Sequence, residues 1–291
     1  MNAHGNRAPI SACIITRNEA DRIGPCLDAL AFCDERLVVD SHSTDATRGI
    51  AAARGARVIE RDWPGFRSQK QFATDAALHD WVLCVDADEI VTPALRAEIE
   101  ALRARGFEGA RGYSIPRLTA YFGGFLRHGN AWPDRQLRLY DRRTARWTGY
   151  EVHEKVAVDG PTGALRQPLE HHAYRDLDDH MRRVDQYASL MAQEMHRAGR
   201  RASLLSIVTH PSWRLLRGLV IKRGLLDGWR GLLFHFVEAG YVRRKYLRLW
   251  ALERMAADAG SRADGGAHGG SSAPAVGVTR DHQGPEPDRH A

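Results

Sequence analysis

The stretch Trp81-Val82-Leu83-Cys84-Val85-Asp86-Ala87-Asp88-Glu89 decides the fold class. An apolar run ends abruptly in three carboxylates, the pattern of a short strand covered on both faces that delivers acidic groups at its C-terminal end. Outward from it, residues 10–16, 36–40 and 57–60 are short and apolar enough to be strands of the same kind. Helical patterns separate them. Ile23, Leu27 and Leu30 recur at helical spacing, a second helix follows Ser43 as a plausible N-cap, and a third runs over 66–78. Strands alternating with helices predict βαβ units, a mainly parallel sheet and the α/β class. Right-handed crossovers then align the C-terminal strand ends along one edge, where open α/β sheets bind ligands.

From 106 to about 174 the segments become shorter and rich in aromatic residues, Arg, Gly and Pro, including 112–116, 136–141 and 155–158. This reads as the second half of a single mixed-sheet domain. Residues 176–198 read as a helix, and 204–257 as further helices interrupted near Pro211, Gly228 and Gly240. The expected division is a flexible start over 1–9, a catalytic domain over 10–200, a basic amphipathic helical extension over 201–257, and a disordered Gly, Ala, Ser, Pro and His-rich tail over 258–291.

The chain of 291 residues is long enough for an enzyme. It has no apolar run near the roughly 18 to 20 residues that span a bilayer, and residues 1–9 lack the apolar segment of a secretory signal. The expectation is a soluble, cytoplasmic protein. Cys13, Cys26, Cys33 and Cys84 form no C-x-x-C pair and read as buried reduced thiols. A net charge of +6 suits anionic partners without choosing among them.

The strand ends carry the chemistry. Residues 10–16 run into Thr16-Arg17-Asn18-Glu19, groups suited to a base and ribose; Asp40 is followed by Ser41, Ser43, Thr44 and Asp45 at a helix entrance. Residues 43–45 suit turn and cap chemistry equally. Three carboxylates at 86–89 need a counter-charge, and hard oxygen ligands suit Mg2+ or Mn2+ shared with phosphate oxygens.

In these segments, and in Phe66-Arg67-Ser68-Gln69-Lys70-Gln71, the sequence resembles the inverting family 2 glycosyltransferases, whose fold is GT-A, an α/β mixed sheet flanked by helices. It is more closely similar to bacterial lipopolysaccharide-core glucosyltransferases through Val152-His153-Glu154-Lys155, residues 171–176 and Gly224-Leu225-Leu226-Asp227-Gly228. The resemblance implies a nucleotide-sugar donor, with UDP-glucose first, a lipid-linked saccharide acceptor and a divalent metal ion. It places Thr16, Asn18, Glu19 and Asp40 on the nucleotide, Gln69 and Lys70 over sugar or phosphates, Asp86 at the ribose or donor sugar, and Asp88 on the metal. His171 and His172 could each supply an imidazole to the metal or to the diphosphate, and His171 better matches the family's pattern as a metal ligand. Family 2 commonly places a Glu-Asp pair at the general base; here His153-Glu154 stands there. Glu154 is the expected base, with Glu151 and Asp134 as alternatives.

Between Arg200 and Arg254 basic residues interleave with Trp213, Leu219, Leu233, Phe234, Tyr246 and Trp250. Such helices suit an anionic membrane surface, making the protein peripheral on the inner face of the cytoplasmic membrane; alternatively their apolar faces pack inward. Two rival readings fit less well. A sugar nucleotidyltransferase is expected to carry a glycine-rich loop after its first strand, and residues 16–20 have no glycine. A non-enzymatic binder of nucleic acid or membrane leaves the carboxylate-ended strands unexplained, so nucleic acid is not an expected partner.

Overall fold

The computed structural model describes residues 7–149 and 154–265. Glu151 and His153 lie outside the described residues. So do 1–6 of the expected flexible start and 266–291 of the expected disordered tail.

The four strands form where the sequence places them: β1 (Ile10–Thr16), β2 (Glu35–Asp40), β3 (Arg57–Glu60) and β4 (Trp81–Asp86). They pair in parallel in the order β3-β2-β1-β4. Helices α1 (Ile23–Ala29), α2 (Thr47–Ala53) and α3 (Phe66–Ala76) connect them. Alternate residues of β1 enter different cores. Ile10, Ala12 and Ile14 pack with Ile23 and Leu27, while Cys13 and Ile15 pack with Leu37, Val39 and Ala73. Both faces are covered, which is why these strands read as continuous apolar runs. All four cysteines are buried free thiols.

Ser43 does not cap α2, whose N-cap is Ala46. Its hydroxyl donates instead to Asp40 Oδ2 at 2.5 Å, and its N–H to Oδ1 at 2.7 Å. An Asx-type turn at the strand end thus outcompetes the cap, as short polar side chains allow.

The second half adds β5 (Glu89–Val91), α4 (Pro93–Ala104), β6 (Gly112–Tyr121), β7 (Gly124–Phe125), β8 (Asp134–Asp141), β9 (Ala145–Gly149), β10 (Glu154–Val158), β11 (Thr162–Ala164) and β12 (Leu169–His171). The full sheet runs β3-β2-β1-β4-β8-β6-β12-β5, with β7 and β11 also on β6, while β9 and β10 form a separate ribbon. Because β8 is antiparallel to both β4 and β6, the sheet is mixed, as expected. β8 thereby starts near the C-terminal end of β4 and runs back toward its N-terminal end, where Asp141 faces Trp81.

Three helices follow: α5 (Leu177–Arg197), capped by Asp176, α6 (Leu204–Leu216) and α7 (Gly228–Gly265). A π-helical turn, Arg217–Ile221, and a 3-10 turn, Gly224–Asp227, join the last two. The break expected near Gly228 is present, but those near Pro211 and Gly240 are not, and α7 continues past residue 257. Pro211 is buried inside α6, and α6 and α5 both pack along α7. Tertiary packing offsets the hydrogen bond that proline removes and the roughly 1 kcal/mol that glycine costs. The apolar residues of this region divide. Phe234, Val242 and Leu249 are buried, whereas Trp213, Leu225, Leu226 and Trp229 are more than half exposed. Among the described residues no helix is long and apolar enough to cross a membrane.

Candidate active site

Parallel register sets the site. Ile15 stands opposite Asp86 across β1 and β4, and Thr16 opposite Asp40 across β1 and β2, so the polar strand ends share one edge. A cleft of about 850 Å³ opens there, lined among others by Thr16, Glu19, Lys70, Asp86, Asp88 and Glu154. His171 joins them from β12. Thr16 Oγ1 is buried with no hydrogen-bond partner among the described residues, a polar atom left for a ligand.

Asp86 sits between two cations. Lys70 Nζ lies 3.0 Å from its Oδ1, and Arg138 Nη2 2.6 Å from its Oδ2. Burial alone raises a carboxyl's pKa, but Arg138 and Lys70 hold Asp86 well below the ordinary carboxylate range. Lys70 Nζ also lies 2.8 Å from Glu154 Oε1 and 5.2 Å from the centre of the Trp147 ring. Its own pKa is raised: burial opposes its charge, but Asp86 and Glu154 favour it. The network continues inward. Arg138 Nη2 meets Glu89 Oε1 at 2.7 Å, and Arg117 joins Glu89 at 3.3 Å to Asp134 at 2.5 Å.

These contacts sort the three carboxylates of the decisive stretch. Asp86 and Asp88 line the cleft, while Glu89 is buried and holds Arg117, Arg138 and the Asp86 N–H. Asp88 has Arg22 Nη1 at 3.5 Å and His171 Nε2 at 3.7 Å. Burial lowers the pKa of His171 despite Asp88 beside it, which favours the neutral imidazole whose lone pair can meet a cation. Glu19 is raised by burial, with Arg22 and Arg175 opposing; Arg175 Nη2 reaches it at 3.1 Å.

Asp40, Gln69, Asn18 and Asp134 are placed differently from the expectation of direct contact. Asp40 is buried under Ser43. Gln69 is buried between Ser41, to which its Nε2 donates, and Arg61 Nη1, from which its Oε1 accepts. Asn18, in the left-handed region at φ 56, accepts from the Thr44 N–H at 2.8 Å and donates its N–H to Ser43. These three fasten the loops that present Thr16 and Glu19. Asp134 is committed to Arg117, which together with Gln136 keeps its carboxyl low despite burial.

Sequence reasoning missed Arg117 and Arg138 on the sheet, Trp147 on β9, and Arg183 and Tyr187, which line the cleft from α5. Arg138 shares strand parity with Tyr140, and both are buried, but neither that burial nor the carboxylates it meets can be read from the sequence.

Residues 11–172 match the family model described as glycosyl transferase family 2. The lipopolysaccharide core biosynthesis glycosyltransferase LpsC of Rhizobium meliloti is 31% identical over 80% of this chain and 87% of its own length. An uncharacterized glycosyltransferase of Rickettsia typhi is 29% identical over 84% of this chain and 87% of its own. Among solved structures, a mannosyltransferase from Pyrobaculum calidifontis in complex with GDP-Man and Mn2+ aligns with a TM-score of 0.47 at 17% identity, covering 86% of this chain and 87% of that one.

Proposed function

The chain belongs to glycosyl transferase family 2, and on that premise we propose that it transfers a hexose from a nucleotide sugar to a saccharide hydroxyl with inversion. UDP-glucose is the proposed donor. The proposed acceptor is a lipid-linked saccharide of the lipopolysaccharide inner core, a reading supported by the name of the Rhizobium relative. It puts the enzyme peripherally on the inner face of the cytoplasmic membrane. Family membership sets aside both the nucleotidyltransferase and the non-enzymatic binder.

The observation that carries the reading is the convergence of Asp86, Asp88, Lys70, Glu154 and His171 on one cleft. Thr16 and Glu19 meet the nucleotide, on loops that Asn18, Asp40 and Gln69 hold in place. Asp88 and His171 would hold Mg2+ or Mn2+. Among the described residues no group of three His, Cys, Asp or Glu side chains is gathered for a metal. A carboxylate and a neutral imidazole still fit an ion that takes one or two carboxylates, keeps several waters and fills its remaining positions with phosphate oxygens. When bound, such an ion supplies positive charge to the departing diphosphate.

Glu154 accepts the proton of the acceptor hydroxyl as that oxygen attacks the anomeric carbon. The bond from that carbon to the phosphate oxygen breaks on the opposite side, its electron pair leaving with the nucleoside diphosphate. Lys70 aligns Glu154, and Asp86, locked by Arg138, orients ribose or donor sugar. One displacement suffices, so an α-linked donor gives a β-linked product. NMR of the product formed from UDP-glucose on a lipopolysaccharide-core oligosaccharide tests this: a β-glucoside is expected, and an α-glucoside overturns the inversion.

A further inference from the structure

The turn region between α6 and α7, with the helix surfaces beside it, gathers many exposed apolar side chains. On α6, Leu205, Val208 and Leu216 are 70%, 63% and 49% exposed, and helical spacing puts them on one face. The turns continue it with Val220, Ile221, Leu225 and Leu226, each more than half exposed. Trp229, Leu232 and Phe236 then follow at i, i+3 and i+7 on α7, all exposed. Apolar patches of this extent on soluble proteins mark docking surfaces.

Charge identifies what docks. Arg217 and Arg223 are exposed and Lys222 half-buried beside these side chains, and among the described residues none of the three is paired with a carboxylate. The acids of the same segment turn inward. Asp227 binds His128 at 2.7 Å, and Glu238 binds Arg214 at 2.8 Å. A symmetric second copy would bring two faces of the same positive sign together, whereas a layer of anionic headgroups attracts the arginines while the apolar side chains enter the acyl boundary. The surface is preformed. A Cβ on Gly218 or Gly224 would lie 2.4 or 2.5 Å from the buried His235 ring, so the turns are seated closely on α7.

We infer that residues 204–236 form an interfacial platform that seats this protein on an anionic bilayer. The platform also adjoins the cleft: Phe122, exposed beside the β6–β7 turn, packs on Trp229 at 5.9 Å, and cleft-lining Tyr174 packs in one cluster with Phe234. It deepens the reading of a lipid-linked acceptor by naming the surface that meets the lipid, and it rests on that reading only for its purpose.

The test is co-sedimentation of the full chain with phosphatidylglycerol-containing vesicles and with pure phosphatidylcholine vesicles, alongside the oligomeric state by light scattering. Wild type is expected to bind the anionic vesicles, and salt to weaken binding. The double variant L225E/L226E is expected to lose about tenfold or more of that partition, with the circular dichroism and vesicle-free donor hydrolysis of wild type. R217E/R223E is expected to lose anionic preference. Undiminished vesicle binding by L225E/L226E overturns the platform. So does a concentration-dependent dimer that this variant abolishes while wild type binds no vesicles, which would show a second copy on the face. Vesicle binding needs no turnover, so failure of donor hydrolysis counts against the transferase reading alone.

Discussion

Lys70 Nζ lies 2.8 Å from Glu154 Oε1 and 3.0 Å from Asp86 Oδ1, so one buried ammonium, delivered by α3, fixes two carboxylates from different strands. The proposed base and the proposed sugar-orienting residue therefore share one positioning group. Glu154→Gln is expected to lower kcat by about 100-fold to 10,000-fold with donor KM nearly unchanged. Lys70→Ala is expected to lower kcat by about 100-fold or more, with Lys70→Arg restoring part of it. Steady-state kinetics for the three variants, with nucleotide affinity by calorimetry, check this.

Arg138 is the centre of the inner network, and Arg138→Met strands Asp86 and Glu89 without their shared cation. A loss of stability of about 3 to 5 kcal/mol is expected, measured by urea unfolding.

The same network sets an acid limb. Asp86 and Asp134 have carboxyls below the ordinary value in the folded chain. Their contribution is therefore complete above the unfolded-state value of about 3.9 and is lost as pH falls through the lower folded values. Thermal unfolding from about pH 7 to about pH 3 should show stability falling only at the acid end. Arg138→Met should move that fall to higher pH.

His171 and Asp88 divide the proposed metal role. Neutral imidazole is a weaker anchor than carboxylate for a hard cation, so His171→Ala should raise the Mn2+ concentration for half-maximal activity and leave a saturable response. A response identical to wild type would remove His171 from the site.

Gly224 offers a test remote from the cleft. A methyl group there meets the His235 ring and the Gly218 carbonyl, which lies at 2.7 Å, so Gly224→Ala is expected to destabilise by about 1 to 3 kcal/mol. Thermal unfolding checks it.

The parallel half of the sheet was legible because both its faces are buried, leaving uninterrupted runs such as 10–16 and 81–85. Asp86, Asp88, Lys70 and Glu154 were legible as a group because each falls in a segment resembling the family. Arg117 and Arg138 were not, since a charged residue in a strand reads as solvent-facing until its buried partner is known. Asp40 was read as a ligand-facing carboxylate, yet the decisive contact is the turn to Ser43, three residues away. Pro211 misled because packing of α6 on α7 overrode a local rule. The exposure of Leu225 and the burial of Leu249 depend on how α5 and α6 lie against α7, which no helical periodicity encodes.

The most direct test of the central claim is nucleotide release from a panel of UDP-, GDP- and ADP-linked sugars with Mg2+ or Mn2+, comparing wild type with Asp88→Ala. Metal-dependent release from one donor class, UDP-glucose foremost, is expected, together with its loss in Asp88→Ala with the fold intact by circular dichroism. Release that proceeds equally without divalent metal, or survives undiminished in Asp88→Ala, would contradict that claim.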